Sequence, residues 1–309
     1  MLPLLLAACQ TAPPPAVSLP DLSLSQRCFG VLGDPDEGAV PDYEPLGPVV
    51  PEDCVGTGHQ DIGDLDRVVF LGDSITTGTF PTPDAGFYRN LLVAGLEEDL
   101  GHPLETQDCS RWGARVDDLQ RDDTQIVDCI GADGTDERAT LVVFTIGGND
   151  MFAYAQDLLA GGTLEQVDAD VDDTIALFDQ ALDTLVAARA RFPNGLYVVF
   201  ANLYEYTDGT GDLSVCPAAS LLGFDGVVPE MRSEYVRINE AWVAGAVRTQ
   251  FDVVFALEAF CGHGFLAGDP DNECFRGEDA ETWFDGTCIH PNEEGHRQLA
   301  AMFRTVVGR

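Results

Sequence analysis

Three short segments carry residue types suited to acyl transfer. Gly72-Asp73-Ser74-Ile75-Thr76 sets a hydroxyl directly after the apolar run Val68–Leu71, and Gly147-Gly148-Asn149-Asp150 sets a carboxamide directly after a second run, Leu141–Ile146. His290-Pro291-Asn292 sets an imidazole just ahead of the last amphipathic segment. A serine hydroxyl is weakly nucleophilic until a base takes its proton, and histidine suits that task near neutral pH. The tetrahedral oxyanion that follows needs fixed N–H donors, and loss of one raises the barrier by about 3 kcal/mol. Serine, histidine and an asparagine amide supply those parts. The G-x-S-x-G turn of the α/β-hydrolases is not the source, because Thr76 holds its last position.

These residues can meet only if the chain brings the ends of separate strands together. Val68–Leu71, Leu141–Ile146, Leu196–Phe200 and Asp252–Leu257 are short apolar runs, the pattern of strands buried on both faces. Between them, apolar residues recur at helical spacing: Phe87, Tyr88, Leu91, Leu92, Leu96 and Leu100; Val171, Ile175, Phe178, Leu182 and Leu185; Met231, Tyr235, Ile238, Trp242 and Ala246. Leu299, Met302, Phe303 and Val306 mark a closing helix. Alternating strands and helices predict an α/β domain whose parallel sheet is covered on both faces, with right-handed crossovers. In such sheets ligands sit beyond the C-terminal strand ends, where Ser74 and Asn149 fall.

In these residues the chain resembles the SGNH hydrolase superfamily, the GDSL-type esterases and lipases. Four blocks match in order: Gly72-Asp73-Ser74; Arg111-Trp112-Gly113-Ala114-Arg115; Gly147-Gly148-Asn149-Asp150; and His290-Pro291-Asn292. The resemblance implies a three-layer α/β/α sandwich with a parallel, flavodoxin-like sheet. It also implies Ser74 as nucleophile, His290 as base, and an oxyanion hole from the Ser74 and Gly113 amides with the Asn149 side chain. The family's usual aspartate three residues before the histidine is replaced by Thr287. Asp285 is the nearest upstream acid and the expected partner of His290 Nδ1, with a backbone carbonyl as the alternative that would leave a Ser–His dyad; Glu281 is a poorer candidate.

Charge and cysteine content narrow the setting. Sixteen basic residues, all arginine, against 53 acidic ones give a net charge of −37, which repels phosphate backbones and argues against nucleic-acid binding. The apolar start ends in Leu6-Ala7-Ala8-Cys9, which resembles a bacterial lipobox. Residues 1–8 then read as a signal remnant, 9–20 as a Pro-rich tether lipidated at Cys9, 21–64 as a loop-rich extension, and 65–309 as the hydrolase domain. The remaining Cys28, Cys54, Cys109, Cys129, Cys216, Cys261, Cys274 and Cys288 make an even set without a C-x-x-C pair, which argues for four disulfides in an oxidising compartment rather than zinc. Spacing alone does not fix connectivity; pairing neighbours gives 28–54, 109–129 and 261–274, leaving 216 with 288.

The expected protein is an exported, lipid-anchored monomer acting on an ester, either a lipid or an acylated carbohydrate, with no metal or cofactor. A carbohydrate O-acetyl esterase and a non-catalytic surface-binding lipoprotein are the alternatives, the latter supported only by the displaced acid. Ser74 or Asn149 could cap helices, and Gly113 could be a turn glycine. Asp73 and Asp150 are expected to tie down loops, and His296 to be structural. His263 reads as a loop residue, and His59 and His102 have no assigned role. Asp34–Gly38 and Asp269–Glu273 read as solvated turns rather than calcium loops, and the acidic face at 168–183 as solvated. Leu221, Leu222, Phe224 and Val227 are candidates to line an acyl pocket or merely to pack.

Overall fold

Because every residue of Val68–Leu71 and Leu141–Phe144 is apolar and buried, these segments can serve only as the middle of a sheet covered on both sides. That is where they lie in the computed structural model, which describes residues 23–30, 40–121, 125–223 and 226–309. Cys9, the tether, Asp34–Gly38 and Phe224 lie outside the described residues. The five strands are β1 (Arg67–Gly72), β2 (Glu105–Asp108), β3 (Thr140–Thr145), β4 (Leu196–Ala201) and β5 (Asp252–Val254). All pair in parallel, in the order β2-β1-β3-β4-β5. This is the flavodoxin-like order, with the switch point between β1 and β3.

The helices are α1 (Leu24–Cys28), α2 (Ser74–Thr77), α3 (Tyr88–Leu100), α4 (Gln125–Ile130), α5 (Gly148–Leu159), α6 (Leu164–Ala188), α7 (Ala219–Leu222), α8 (Met231–Thr249), α9 (Ala256–Phe260) and α10 (Glu293–Val307). Side chains alternate across each strand, so Val68, Phe70, Leu141 and Val143 pack with Leu92, Leu96, Leu299 and Phe303 of α3 and α10. Val69, Leu71, Val142 and Phe144 face the opposite layer, with Phe178 of α6 and Trp242 of α8. Those two rings stack with centroids 3.8 Å apart. Burying each such side chain contributes about 1.5–3 kcal/mol. The acids facing α8 are not simply solvated: Arg237 pairs with Asp168 and Asp172, and Arg248 with Asp179 and Asp183.

Two strand expectations are corrected. β2, Glu-Thr-Gln-Asp, is an exposed edge strand without the apolar signature that marks the others. The last run is strand only through Val254; the Asn202 side-chain oxygen takes the Leu257 N–H at 2.8 Å, and the chain turns into α9. Beside β5, the N-terminal extension adds a short antiparallel pairing, with Thr57 N–H donating to Val253 O (2.9 Å) and Phe255 N–H to Val55 O (2.9 Å). Phe29 and Tyr43 of the same extension pack on Phe255, and the Tyr43 hydroxyl donates to Glu258 (2.6 Å). The disulfides join Cys28 to Cys54, Cys109 to Cys129, Cys216 to Cys288 and Cys261 to Cys274, as neighbour pairing expects. No described helix is long and apolar enough to cross a membrane.

Candidate active site

The hydroxyl-bearing turn follows from close packing of β1 on β3. Gly72 has φ 109°, and a β-carbon there would lie 2.0 Å from Thr145 O, so only glycine lets the two strand ends touch. β2 has already ended at this level, and the buried Gln125 amide takes its place beside Gly72. Its Oε1 accepts the Gly72 N–H (2.5 Å), while its Nε2 donates to Gly72 O (2.9 Å). Gln125 was not singled out from the sequence, since one polar residue on a short helix carries no periodic signal. Asp73 then caps α2: its Oδ1 accepts from Ile75 N–H (3.0 Å) and from the Thr145 hydroxyl (2.9 Å). Burial raises the Asp73 pKa to about 7. Ser74 is therefore the first residue of α2 rather than its cap.

Ser74 Oγ lies 2.8 Å from His290 Nε2. The other ring nitrogen, Nδ1, meets the Thr287 hydroxyl at 2.6 Å. That hydroxyl donates in turn to Asp285 Oδ1 (2.5 Å), which also accepts the Thr287 N–H (2.7 Å). The direct Asp285–His290 bond expected from the sequence is thus replaced by a link through one side chain, and the carbonyl alternative is not used either. The reason is the tight turn at 285–288, in which Cys288 N–H donates to Asp285 O (3.1 Å) and Asp285 N–H to His290 O (2.9 Å). Cys288 has φ 78° and is bonded to Cys216, and Tyr204 Oη donates to Ile289 O (3.1 Å). Burial lowers the His290 pKa, and the negative charge of Asp285 opposes that shift.

The second and third blocks meet each other, and Asn149 lines the same cleft as Ser74 and His290. Asn149 Nδ2 donates to Ala114 O (2.9 Å), and Asp150 Oδ2 accepts the Val116 N–H (3.1 Å), so the first turn of α5 clasps the 111–116 loop. Burial raises the Asp150 pKa to about 6. Asn149 is inside α5, whose cap is Gly147, so its amide is free of capping duty and retains a second N–H. Gly113 has φ 74° and open space where a β-carbon would stand. Neither the Ser74 nor the Gly113 N–H has an acceptor among the described residues.

A cleft of about 130 Å³ opens from Ser74, Asn149 and His290 and is lined mostly by apolar side chains, among them Ile146, Met151, Phe152, Leu203 and Met231, with Glu205, Asp208 and Arg232 also on its wall. The connection after β4 contributes Leu213 and Val228. Leu221 and Val227, candidates for this role, face solvent instead, and the Leu222 side chain is outside the described residues. His296 is fully buried, its Nδ1 accepting from Tyr88 N–H (3.3 Å), and burial pushes its pKa down to about 4. His263 stacks on Trp283 (3.6 Å), His59 bonds to Phe251 O (2.7 Å), and His102 pairs with Asp64 (2.8 Å). Among the described residues no cluster of three or more His, Cys, Asp or Glu side chains could hold a metal ion.

The chain belongs to the GDSL-like Lipase/Acylhydrolase family, whose model matches residues 70–298, well over half its length. It is a hydrolase of the esterase and lipase class with the SGNH fold. An acetyl xylan esterase, AlAXEase, is similar in fold (TM-score 0.51) at 18% identity, covering 78% of this chain and 99% of its own. A member of the lipolytic G-D-S-L family from Veillonella parvula DSM 2008 aligns at 16% identity and TM-score 0.47, over 79% of this chain and 98% of its own. The esterase EstA from Pseudoalteromonas sp. aligns at 12% identity and TM-score 0.45, over 79% and 97%. No curated protein matches this chain in sequence.

Proposed function

We propose that this protein is an exported serine esterase that cleaves carboxylic esters of apolar acyl groups through an acyl-enzyme on Ser74. The observation that carries this reading is the 2.8 Å contact between Ser74 Oγ and His290 Nε2 at the mouth of an apolar cleft. His290 Nε2 takes the Ser74 proton as Oγ attacks the ester carbonyl carbon. The charge that develops on the carbonyl oxygen is held by the Ser74 and Gly113 N–H groups and by Asn149 Nδ2. Collapse of the tetrahedral species breaks the ester C–O bond, and the imidazolium protonates the departing alkoxide. Water, deprotonated by the same nitrogen, then releases the acid and restores the serine hydroxyl.

The predominantly apolar lining favours an acyl chain over a sugar acetate, because most of a sugar's surface would face carbon there, with polar groups such as Glu205, Asp208 and Arg232 making up the smaller part of the lining. Four disulfides support an oxidising destination, and Leu6-Ala7-Ala8-Cys9 supports anchoring by a lipid on Cys9 at the bacterial envelope. The test is hydrolysis of p-nitrophenyl esters of increasing chain length by wild type and Ser74→Ala. Expected is Ser74-dependent turnover with longer acyl chains preferred over acetate. A profile peaking at acetate would reverse the substrate assignment, and unchanged turnover by the variant would refute the mechanism.

A further inference from the structure

We infer that Thr287 is a positioning residue that selects the His290 tautomer and couples the ring to Asp285, so that the site works as a four-member Ser–His–Thr–Asp chain. The inference rests on the catalytic reading of Ser74 and His290 given above. Its basis is a proton count. A threonine hydroxyl has one proton and two lone pairs, and an ionised carboxylate only accepts. Asp285 Oδ1 lies 2.5 Å from Thr287 Oγ1 and 2.7 Å from Thr287 N. The hydroxyl proton must therefore point at Asp285, leaving a lone pair of Oγ1 toward His290 Nδ1 at 2.6 Å. That contact is a hydrogen bond only if Nδ1 carries the ring proton. Nε2 is then the bare nitrogen, as needed to receive the Ser74 proton across 2.8 Å.

Geometry also separates the two acid-side residues. Both donors to Asp285 converge on Oδ1, while Oδ2 is buried without a partner among the described residues. Asparagine at 285 can thus keep its carbonyl oxygen at the Oδ1 position, holding the chain of bonds but removing the charge. Valine at 287 keeps the shape and breaks the chain. Serine at 287 keeps both. Threonine here therefore stands in for the missing carboxylate contact by transmitting the one at 285.

The experiment reads the ring directly. In [15N]histidine-labelled protein without substrate, NMR is expected to show His290 as the Nδ1–H tautomer, its signal assigned by its loss in His290→Gln. Thr287→Val is expected to lose that tautomer preference and to lower kcat by about 10- to 100-fold with KM within about threefold, the signature of an interaction lost in the transition state. Thr287→Ser is expected to match wild type in both readouts. Asp285→Asn is expected to keep the Nδ1–H tautomer, lower kcat, and move the acid limb of kcat/KM to lower pH, since the charge that holds up the His290 pKa is gone. Retention of the wild-type tautomer and kcat by Thr287→Val, or an equal fall in Thr287→Ser, would overturn the assignment. If wild type hydrolysed no ester, the proposed function would fail, while the tautomer measurement would still decide the role of Thr287.

Discussion

The amide of Gln125 offers a direct measure of how the turn that carries Ser74 is held. Substituting methionine keeps length and approximate volume, so little cavity is made, but both bonds to the Gly72 peptide disappear. Gly72 O keeps the Arg111 N–H at 2.9 Å, so its loss is the ordinary net value of about 0.5–1.5 kcal/mol. The Gly72 N–H has no replacement acceptor in its buried position and costs the fuller penalty of about 1–3 kcal/mol. Together, Gln125→Met is expected to destabilise by about 2–4 kcal/mol. At roughly 2–4 °C per kcal/mol for a large domain, this lowers Tm by about 5–15 °C. The assay is thermal and guanidinium unfolding with the disulfides intact. kcat at 25 °C is expected to fall as well, because Ser74 rides two residues beyond the displaced peptide. Stability within about 0.5 kcal/mol of wild type, the range of a neutral surface change, would refute the view that Gln125 substitutes for the missing length of β2.

Because burial holds the His290 pKa below its ordinary 6.5, kcat/KM is expected to stay level on lowering the pH to that value and to fall only below it, as a pH–rate profile will show. Asn149→Ala removes the proposed oxyanion donor together with the clasp on Ala114, and kcat measured at saturating ester should drop by about 100- to 1000-fold. Asp73→Asn keeps an oxygen for Ile75 and Thr145. The wild-type group ionises at about 7 folded against about 3.9 unfolded, so the native state binds more protons between those values and stability falls as pH rises through that window. Denaturation midpoints from pH 4 to 8 should show that slope in wild type and its reduction in Asp73→Asn.

Strands β1, β3 and β4 were legible because burial on both faces forces an unbroken apolar run. β2 was not, since Glu105–Asp108 lies at an exposed edge and owes its conformation to pairing with β1. The end of β5 was misjudged because an apolar run does not distinguish strand from buried helix; a side chain distant in sequence, Asn202, decided the matter. At the site, the placement of Ser74 and Asn149 after β1 and β3, read with the family resemblance, pointed to one sheet edge; Ser74 Oγ does meet His290 Nε2, and Asn149 lines the same cleft. Thr287 could be noticed only as an absence of aspartate. Its contact with His290 depends on the turn at 285–288, which no local pattern encodes. Gln125 was invisible for a similar reason: its partner is a peptide group 53 positions away.

The short pairing of residues 55–57 with β5 has a consequence for assembly. An unoccupied strand flank presents backbone donors and acceptors that another chain can copy, which is the usual beginning of sheet-to-sheet association. Here the protein's own leading segment fills that row, fixed in place by the bridge from Cys28 to Cys54 and by aromatic packing on Phe255. The opposite flank, β2, is four residues long and carries Glu105 and Asp108, a poor template for an equally acidic neighbour. A sheet blunted in this way at both ends resists templated growth from either flank.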